Sequence, residues 1–484
     1  MLLTYLRRAA LAAVLAMSLV APAVSSAGPV PLSDDECLAP AGDPQPGTNA
    51  WRERDTKNQI CATLRLRDQI KSPAFTFAGA SQWPALHAAA AVEQATDPTH
   101  PRGGITTLIP GSRQADPFRT LARWTAAGRG TVTRVSFKAL NGATLRGHVF
   151  VPPASVPKPA SGYPGVVITD GSIQAYENLY FWAAEDLAAA GYVVMTYDVQ
   201  GQGDSDLLGA DCPTTCSGVP YQQNYNFYQG AEDSLSFFLS TPTAPFGGSS
   251  NPAHADLDPD AIGIAGHSLG AAAVSYVGQC DKRVKAIVAW DNLRAIEDCT
   301  GVTIPAQYRS DTLVHTPALG TSNDYAFNVQ PTDTAPDPDA KQSGFTQLAA
   351  AGIDTAEVVF RGATHLEYTY IPYVLPASRL GERMASNYTV AWFDRYLRGL
   401  SSGFDRLVAT QFDGSSDSRS IGAGDFSTDA ATANPTDPTA GNIPYEIAGI
   451  PVANAVSFYY RSAYSLHDPV TNALVTCSDM RAGC

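Results

Sequence analysis

Charge is scarce in this 484-residue chain: Asp, Glu, Lys and Arg make up 16% of it, against 44% hydrophobic residues. Disorder needs low hydrophobicity and high charge, so it is excluded for the bulk of the chain. Positive charge is the scarcer sign, with 32 Lys and Arg against 46 Asp and Glu and a net charge of −14. General nucleic-acid binding rests on Lys and Arg neutralising phosphates, and is not expected. Beyond the first 27 residues no apolar run is long enough to span a bilayer. Internal repeats are absent. So are metal-ligand patterns: Cys212 and Cys216 have possible zinc spacing, but no second Cys/His pair completes a set. The aspartates of residues 411–442 match no EF-hand loop.

What is present begins with an export signal. Residues 1–27 carry Arg7 and Arg8, then an apolar stretch at 9–24, then Ser25-Ser26-Ala27, with cleavage expected before Gly28. The apolar stretch would be about 24 Å long as a helix, short for a membrane core of about 30 Å. No Cys follows the cleavage site, so a lipoprotein anchor is not expected. A secreted chain without a membrane anchor after cleavage is the expectation. Its eight cysteines, an even number, fit an oxidising compartment. Nearest-neighbour pairing gives Cys37–Cys61, Cys212–Cys216, Cys280–Cys299 and Cys477–Cys484, one of many arrangements that the sequence allows.

Residues 28–130 read as an N-terminal extension with a helical patch near 85–95; Trp51, Trp83 and Trp124 suggest that it packs on a core. The pattern then changes. Two alternating strands, Thr131–Lys138 and Thr144–Val151, flank Asn141-Gly142, a strong hairpin signal. Strand-like and helical segments follow in turn: strands at 165–169, 192–198, 261–265, 284–290, 316–321 and 356–361, and helices at 176–190, 228–239, 271–277, 338–351 and 384–397. Such alternation predicts an α/β fold, a mostly parallel central sheet with helices on both faces, and the hairpin predicts antiparallel strands at one edge. Residues 401–484 read as a loop-rich C-terminal extension: a Gly/Ser/Thr/Asp/Pro loop at 411–442, then a small β element within 444–466.

Gly266-His267-Ser268-Leu269-Gly270 is a G-x-S-x-G sequence between a buried strand and a helix. A sharp strand-to-helix turn holds its serine in strained backbone geometry and needs small neighbours, which Gly266, Gly270 and Ala271 supply. Ser268 would project from the strand's end at a helix N-terminus, where free N–H groups favour developing negative charge.

With this motif in that setting, residues 131–400 resemble an α/β-hydrolase, and the resemblance implies that fold and a nucleophile–acid–base order of Ser, Asp, His. Ser268, Asp324 and His365 fit: Asp324 follows the strand-like TPALGTS, and His365 follows AEVVFR. Asp291, after the preceding strand, is the alternative acid, and His467 the alternative base. His365 would take the serine's proton and Asp324 would orient the imidazole. Leu269 N–H would be one oxyanion-hole donor. By the resemblance Ser172 N–H supplies the second, with Ile173 the other candidate; Asp170-Gly171 departs from the His-Gly that the family often carries there. His267 is expected to point away from the site.

Trp290-Asp291 and the helix TVAWFDRYLRG resemble dienelactone hydrolase-like and cutinase-like polyester hydrolases, which makes Trp290 a candidate substrate-stacking residue, with a core tryptophan as the other reading. Too few residues separate Trp290 from Leu313 for a helical cap, so an open cleft is expected, rimmed by residues 201–225 and 325–337. The function expected is a secreted serine hydrolase cleaving carboxylic esters, small or polymeric, with no metal or organic cofactor. The alternatives are a peptidase or amidase of the same fold and a non-catalytic hydrolase-fold binding protein.

Overall fold

The computed structural model describes residues 34–40, 44–70, 119–172, 176–209, 224–291, 293–310, 315–326, 336–371, 378–415 and 447–484, with isolated positions between them. Its contacts divide the chain into two units. The first, Met1–Ala39, contains one described helix, Asp34–Cys37. Everything below concerns the second, Pro40–Cys484. The expected signal segment, Trp83, Ile173, the Cys212–Cys216 pair and most of the 411–442 loop lie outside the described residues, as do 210–223 and 327–335 of the two expected rim segments.

In chain order the main elements are α1 (Asn49–Ile70), β1 (Thr131–Lys138), β2 (Thr144–Val151), β3 (Tyr163–Thr169), α2 (Phe181–Ala190), β4 (Val193–Asp198), α3 (Asn224–Phe238), β5 (Leu257–His267), α4 (Leu269–Cys280), β6 (Val284–Trp290), β7 (Ala318–Asn323), α5 (Ser343–Ala350), β8 (Thr355–Phe360), α6 (Arg379–Leu397), β9 (Ala463–His467) and β10 (Leu474–Cys477). These ten strands form one sheet in the order β1-β2-β4-β3-β5-β6-β7-β8-β9-β10, and Tyr370–Ile371 pairs with Leu375–Pro376 in a separate two-stranded ribbon. β4-β3-β5-β6-β7-β8 are parallel, and the hairpin β1-β2 joins β4 antiparallel at one side. At the other, β9 pairs antiparallel with β8 and β10 with β9. The C-terminal β element therefore extends the central sheet.

The local chemistry explains these elements. Strands such as VVMTYD of β4 are buried along their whole length, as a sheet covered on both faces requires. Gly142, at φ +84°, turns the hairpin, and its N–H bonds Ala139 O at 2.8 Å. Successive β5 residues face opposite helices. A Cβ at Gly263 would lie 2.5 Å from the Phe393 ring of α6, whereas Ile264 on the other face lies under Gly278 of α4. Ser378 caps α6, its side chain accepting from Gly381 N–H.

α1 was not foreseen, because NAWRERDTKNQICATLRLRDQI carries charge on every side and shows no clean apolar stripe. It is held by Trp51, set edge-on against Phe458 and Tyr459 at 6.4 and 6.0 Å between ring centres. Bonds from Cys280 to Cys299 and from Cys477 to Cys484 are formed as expected.

Candidate active site

Ser268 stands between β5 and α4 at φ +57°, ψ −117°, a region that side chains other than glycine rarely adopt. The turn is tight enough to dictate its glycines. A Cβ on Gly266 would lie 2.5 Å from Gly270 O, and one on Gly270 would lie 2.3 Å from Asp170 O and 2.5 Å from Thr169 O. The elbow is tied sideways as well, with Ser268 N–H donating to Trp290 O at 3.0 Å. Leu269 follows as the first residue of α4, where helix amides have no intrahelical acceptor.

His365 opens a short turn, His365–Tyr368, just beyond β8. Its Nε2 lies 2.9 Å from Ser268 Oγ. Its Nδ1 is hydrogen-bonded to Asp291 Oδ2. A carboxylate only accepts, so Nδ1 carries the hydrogen and Nε2 is left to accept the serine's proton. Burial pushes the imidazole down, to about 4, so the free ring is the neutral base at pH 7. Asp291 directly follows β6 at φ +60°. Its N–H donates to Thr321 O at 2.7 Å, and Ser322 Oγ donates to its Oδ1 at 3.1 Å.

Two expectations are corrected here. The carboxylate beside His365 is Asp291, the alternative acid, and not Asp324. Asp324 is buried beyond the end of β7, where its Oδ2 accepts from Gly362 N–H at 2.6 Å and Asn58 Nδ2 at 2.8 Å. It fastens the loop that leads to His365 to helix α1, and burial raises its carboxyl above the usual range. Trp290 is not a substrate platform. It is fully buried, its Nε1–H donates to Thr389 Oγ1 at 3.0 Å, and Tyr180, Trp182 and Tyr368 surround its ring at 6.3, 5.3 and 6.2 Å. His467, the alternative base, sits in β9 on Asp354 Oδ1 at 2.6 Å.

The loop after β3 reaches the same place. Asp170 is fully buried, bonded to Val199 N–H and Gln202 Nε2 at 3.3 and 3.1 Å, so its side chain serves the neighbouring strand end. Burial, then the Asp198 carboxylate, raises it well above the usual range. Ser172 is half-buried beside it. His267, expected to point away from the site, enters a chain of bonds beside it that the sequence did not reveal. Gly171 N–H donates to Tyr180 Oη at 2.9 Å; Tyr180 Oη lies 3.0 Å from His267 Nδ1; His267 Nε2 lies 2.8 Å from His365 O. Among the described residues, 293–310 hold no helix, and no His/Cys/Asp/Glu cluster is arranged to hold a metal.

No family model matches the chain. Three fungal proteins do: a thiohydrolase of Arthrinium phaeospermum, 30% identical over 33% of this chain and 43% of its own length; a hydrolase of a Fusarium species, 28% identical over 56% and 58%; and an alpha/beta hydrolase of an Acremonium species, 30% identical over 33% and 29%. The chain thus spans less than two thirds of each of these relatives. Strand order and elbow are those of the α/β-hydrolase fold, and the relatives support the α/β-hydrolase superfamily.

Proposed function

We propose that the chain is a secreted serine hydrolase that cleaves carboxylic esters through an acyl-enzyme. The observation that carries this reading is Ser268 Oγ at 2.9 Å from His365 Nε2, with Asp291 on the opposite ring nitrogen. His365 removes the hydroxyl proton as Ser268 Oγ attacks the acyl carbon, a contribution of roughly 10²- to 10⁴-fold. Asp291 holds the tautomer and stabilises the imidazolium. Leu269 N–H and Ser172 N–H receive the oxyanion. The imidazolium returns its proton to the departing alkoxide, leaving the acyl group on Ser268. Water, deprotonated by the same ring, then releases the carboxylic acid and restores the serine.

The apolar segment at 9–24 and the disulfides support secretion. A relative named as a thiohydrolase makes acyl thioesters the second substrate class, since the same attack serves a thiolate leaving group. The test is fluorophosphonate labelling, followed by turnover of p-nitrophenyl esters of graded acyl length, acyl thioesters and aminoacyl-p-nitroanilides. Labelling at Ser268, its loss in Ser268→Ala, and ester turnover are expected. Anilide turnover alone would make the protein an amidase. A folded wild type that stays unlabelled and turns over nothing would favour a binding protein.

A further inference from the structure

We infer that His267, the residue before the nucleophile, is a positioning residue that couples the oxyanion loop to the general base through Tyr180. The inference rests on the serine-hydrolase reading above. The ends of the chain fix its polarity. His365 O is a carbonyl and only accepts, so His267 Nε2 carries a hydrogen and donates to it at 2.8 Å. Gly171 N–H is an amide and only donates, to Tyr180 Oη at 2.9 Å. The Tyr180 hydroxyl therefore donates its own hydrogen to His267 Nδ1, 3.0 Å away. One tautomer of a neutral ring satisfies every group.

The packing allows little else. Tyr180 is fully buried and His267 nearly so. A Cβ on Gly171 would lie 2.9 Å from His267 Nδ1 and 3.1 Å from Tyr180 Oη, so glycine is what lets the oxyanion loop sit this close. The His267 and His365 rings are 4.8 Å apart. Burial, with His365 adding to it, keeps His267 far below the usual imidazole range. It therefore remains neutral while its neighbour becomes an imidazolium. The oxyanion loop and the backbone of the base come from β3 and β8, which are not neighbours in the sheet. The chain through His267 joins them directly behind the serine.

The experiment is a double-mutant cycle on the full chain. Tyr180→Phe keeps the ring but leaves Gly171 N–H and His267 Nδ1 unpaired. His267→Gln keeps a donor toward His365 O and loses the acceptor for Tyr180. Each single variant should lower kcat about tenfold with KM nearly unchanged, and the double variant little further, because both cut the same link. Effects on kcat that simply multiply, or a melting temperature that falls while kcat holds, would overturn the inference. ¹⁵N-histidine NMR of wild type at pH 7 gives a readout that needs neither folded variants nor turnover. A neutral His267 ring with its hydrogen on Nε2 is expected, and a hydrogen on Nδ1 would refute the chain. Fluorophosphonate labelling of wild type separates the two failures. An unlabelled wild type with the Nε2–H ring sinks the hydrolase reading alone, while a labelled wild type with multiplying variants sinks this one.

Discussion

Two aspartates stand at the ends of neighbouring strands, and their surroundings give them opposite duties. Asp291 keeps one oxygen on His365 Nδ1 and the other on the Ser322 hydroxyl. Asp324 spends its Oδ2 on the Gly362 and Asn58 donors, away from the imidazole. Asp291→Asn should therefore lower kcat by about 10³- to 10⁴-fold, by favouring the wrong tautomer, with little change in melting temperature. Asp324→Ala should do the reverse: about 2–4 kcal/mol of lost stability, since two buried donors are orphaned, and kcat within about tenfold. Thermal melts and steady-state kinetics on both variants decide the matter, and the opposite pattern would return Asp324 to the triad. The nucleophile and the base were legible from local context, a G-x-S-x-G between strand and helix and a His just past the last parallel strand. The acid was not, because Trp290-Asp291 and Asn323-Asp324 both follow strands and both fit the order. What decides between them is tertiary: a turn at φ +60° that points Asp291 at the ring. Trp290 misled for a related reason, since adjacency in sequence to a site residue says nothing about which side of the sheet an indole occupies.

At the scale of elements, the site depends on how closely the N-terminus of α4 meets the end of β3. Gly270 is the contact, and the atoms that a Cβ would strike are the backbone oxygens of Asp170 and Thr169. Backbone at both ends leaves no flexible side chain to give way. Gly270→Ala should therefore push Leu269 and Ser172 apart, lowering kcat by about 100-fold or more and costing about 1–3 kcal/mol of stability. Gly230 on α3 is the control. Its nearest would-be neighbour is Tyr197 Oη at 3.9 Å, so alanine fits and should raise stability by about 1 kcal/mol through helix propensity alone. Equal losses in the two variants would show that close approach is not what selects glycine at the elbow. The hairpin and the parallel strands could be read from the sequence because their apolar periods and turn residues are local. The polar helix α1 could not, because its reason for being helical lies in Trp51, Asp55 and Asn58 meeting partners far along the chain.

Across the unit as a whole, the buried ionisable groups predict how stability follows pH. The histidines of the site have folded-state affinities for protons below those of the unfolded chain, His365 at about 4 and His267 well below its usual value. Their contribution is present above about 6.5 and is lost as the pH falls below it, where the unfolded chain takes up protons that the fold excludes. The buried carboxyls have the opposite sign. Burial, then the neighbouring Glu177 and Asp204, raises Asp198 to about 8, and burial raises Glu357 well above the usual range despite nearby Lys341. Their contribution is complete below about 4 and is lost as the pH climbs through the folded-state value. Between pH 6.5 and 8.5 the site histidines have only the tail of their titration left, and the buried carboxyls lose stability throughout. His148, which despite burial is raised above the usual imidazole range by Glu177, acts in the same direction as the carboxyls, so the melting temperature should fall across that window. Glu357 isolates the cause. It is fully buried, and neither carboxyl oxygen has a hydrogen-bond partner among the described residues. Glu357→Gln keeps the shape and removes the ionisation, so it should flatten the slope and raise the melting temperature at pH 8.5 more than at pH 6.5. Each tenfold change in proton affinity so removed is about 1.4 kcal/mol. Thermal melts of wild type and variant at the two pH values test this, and a melting temperature that rises from pH 6.5 to 8.5 would mean that these carboxyls ionise in the fold without cost.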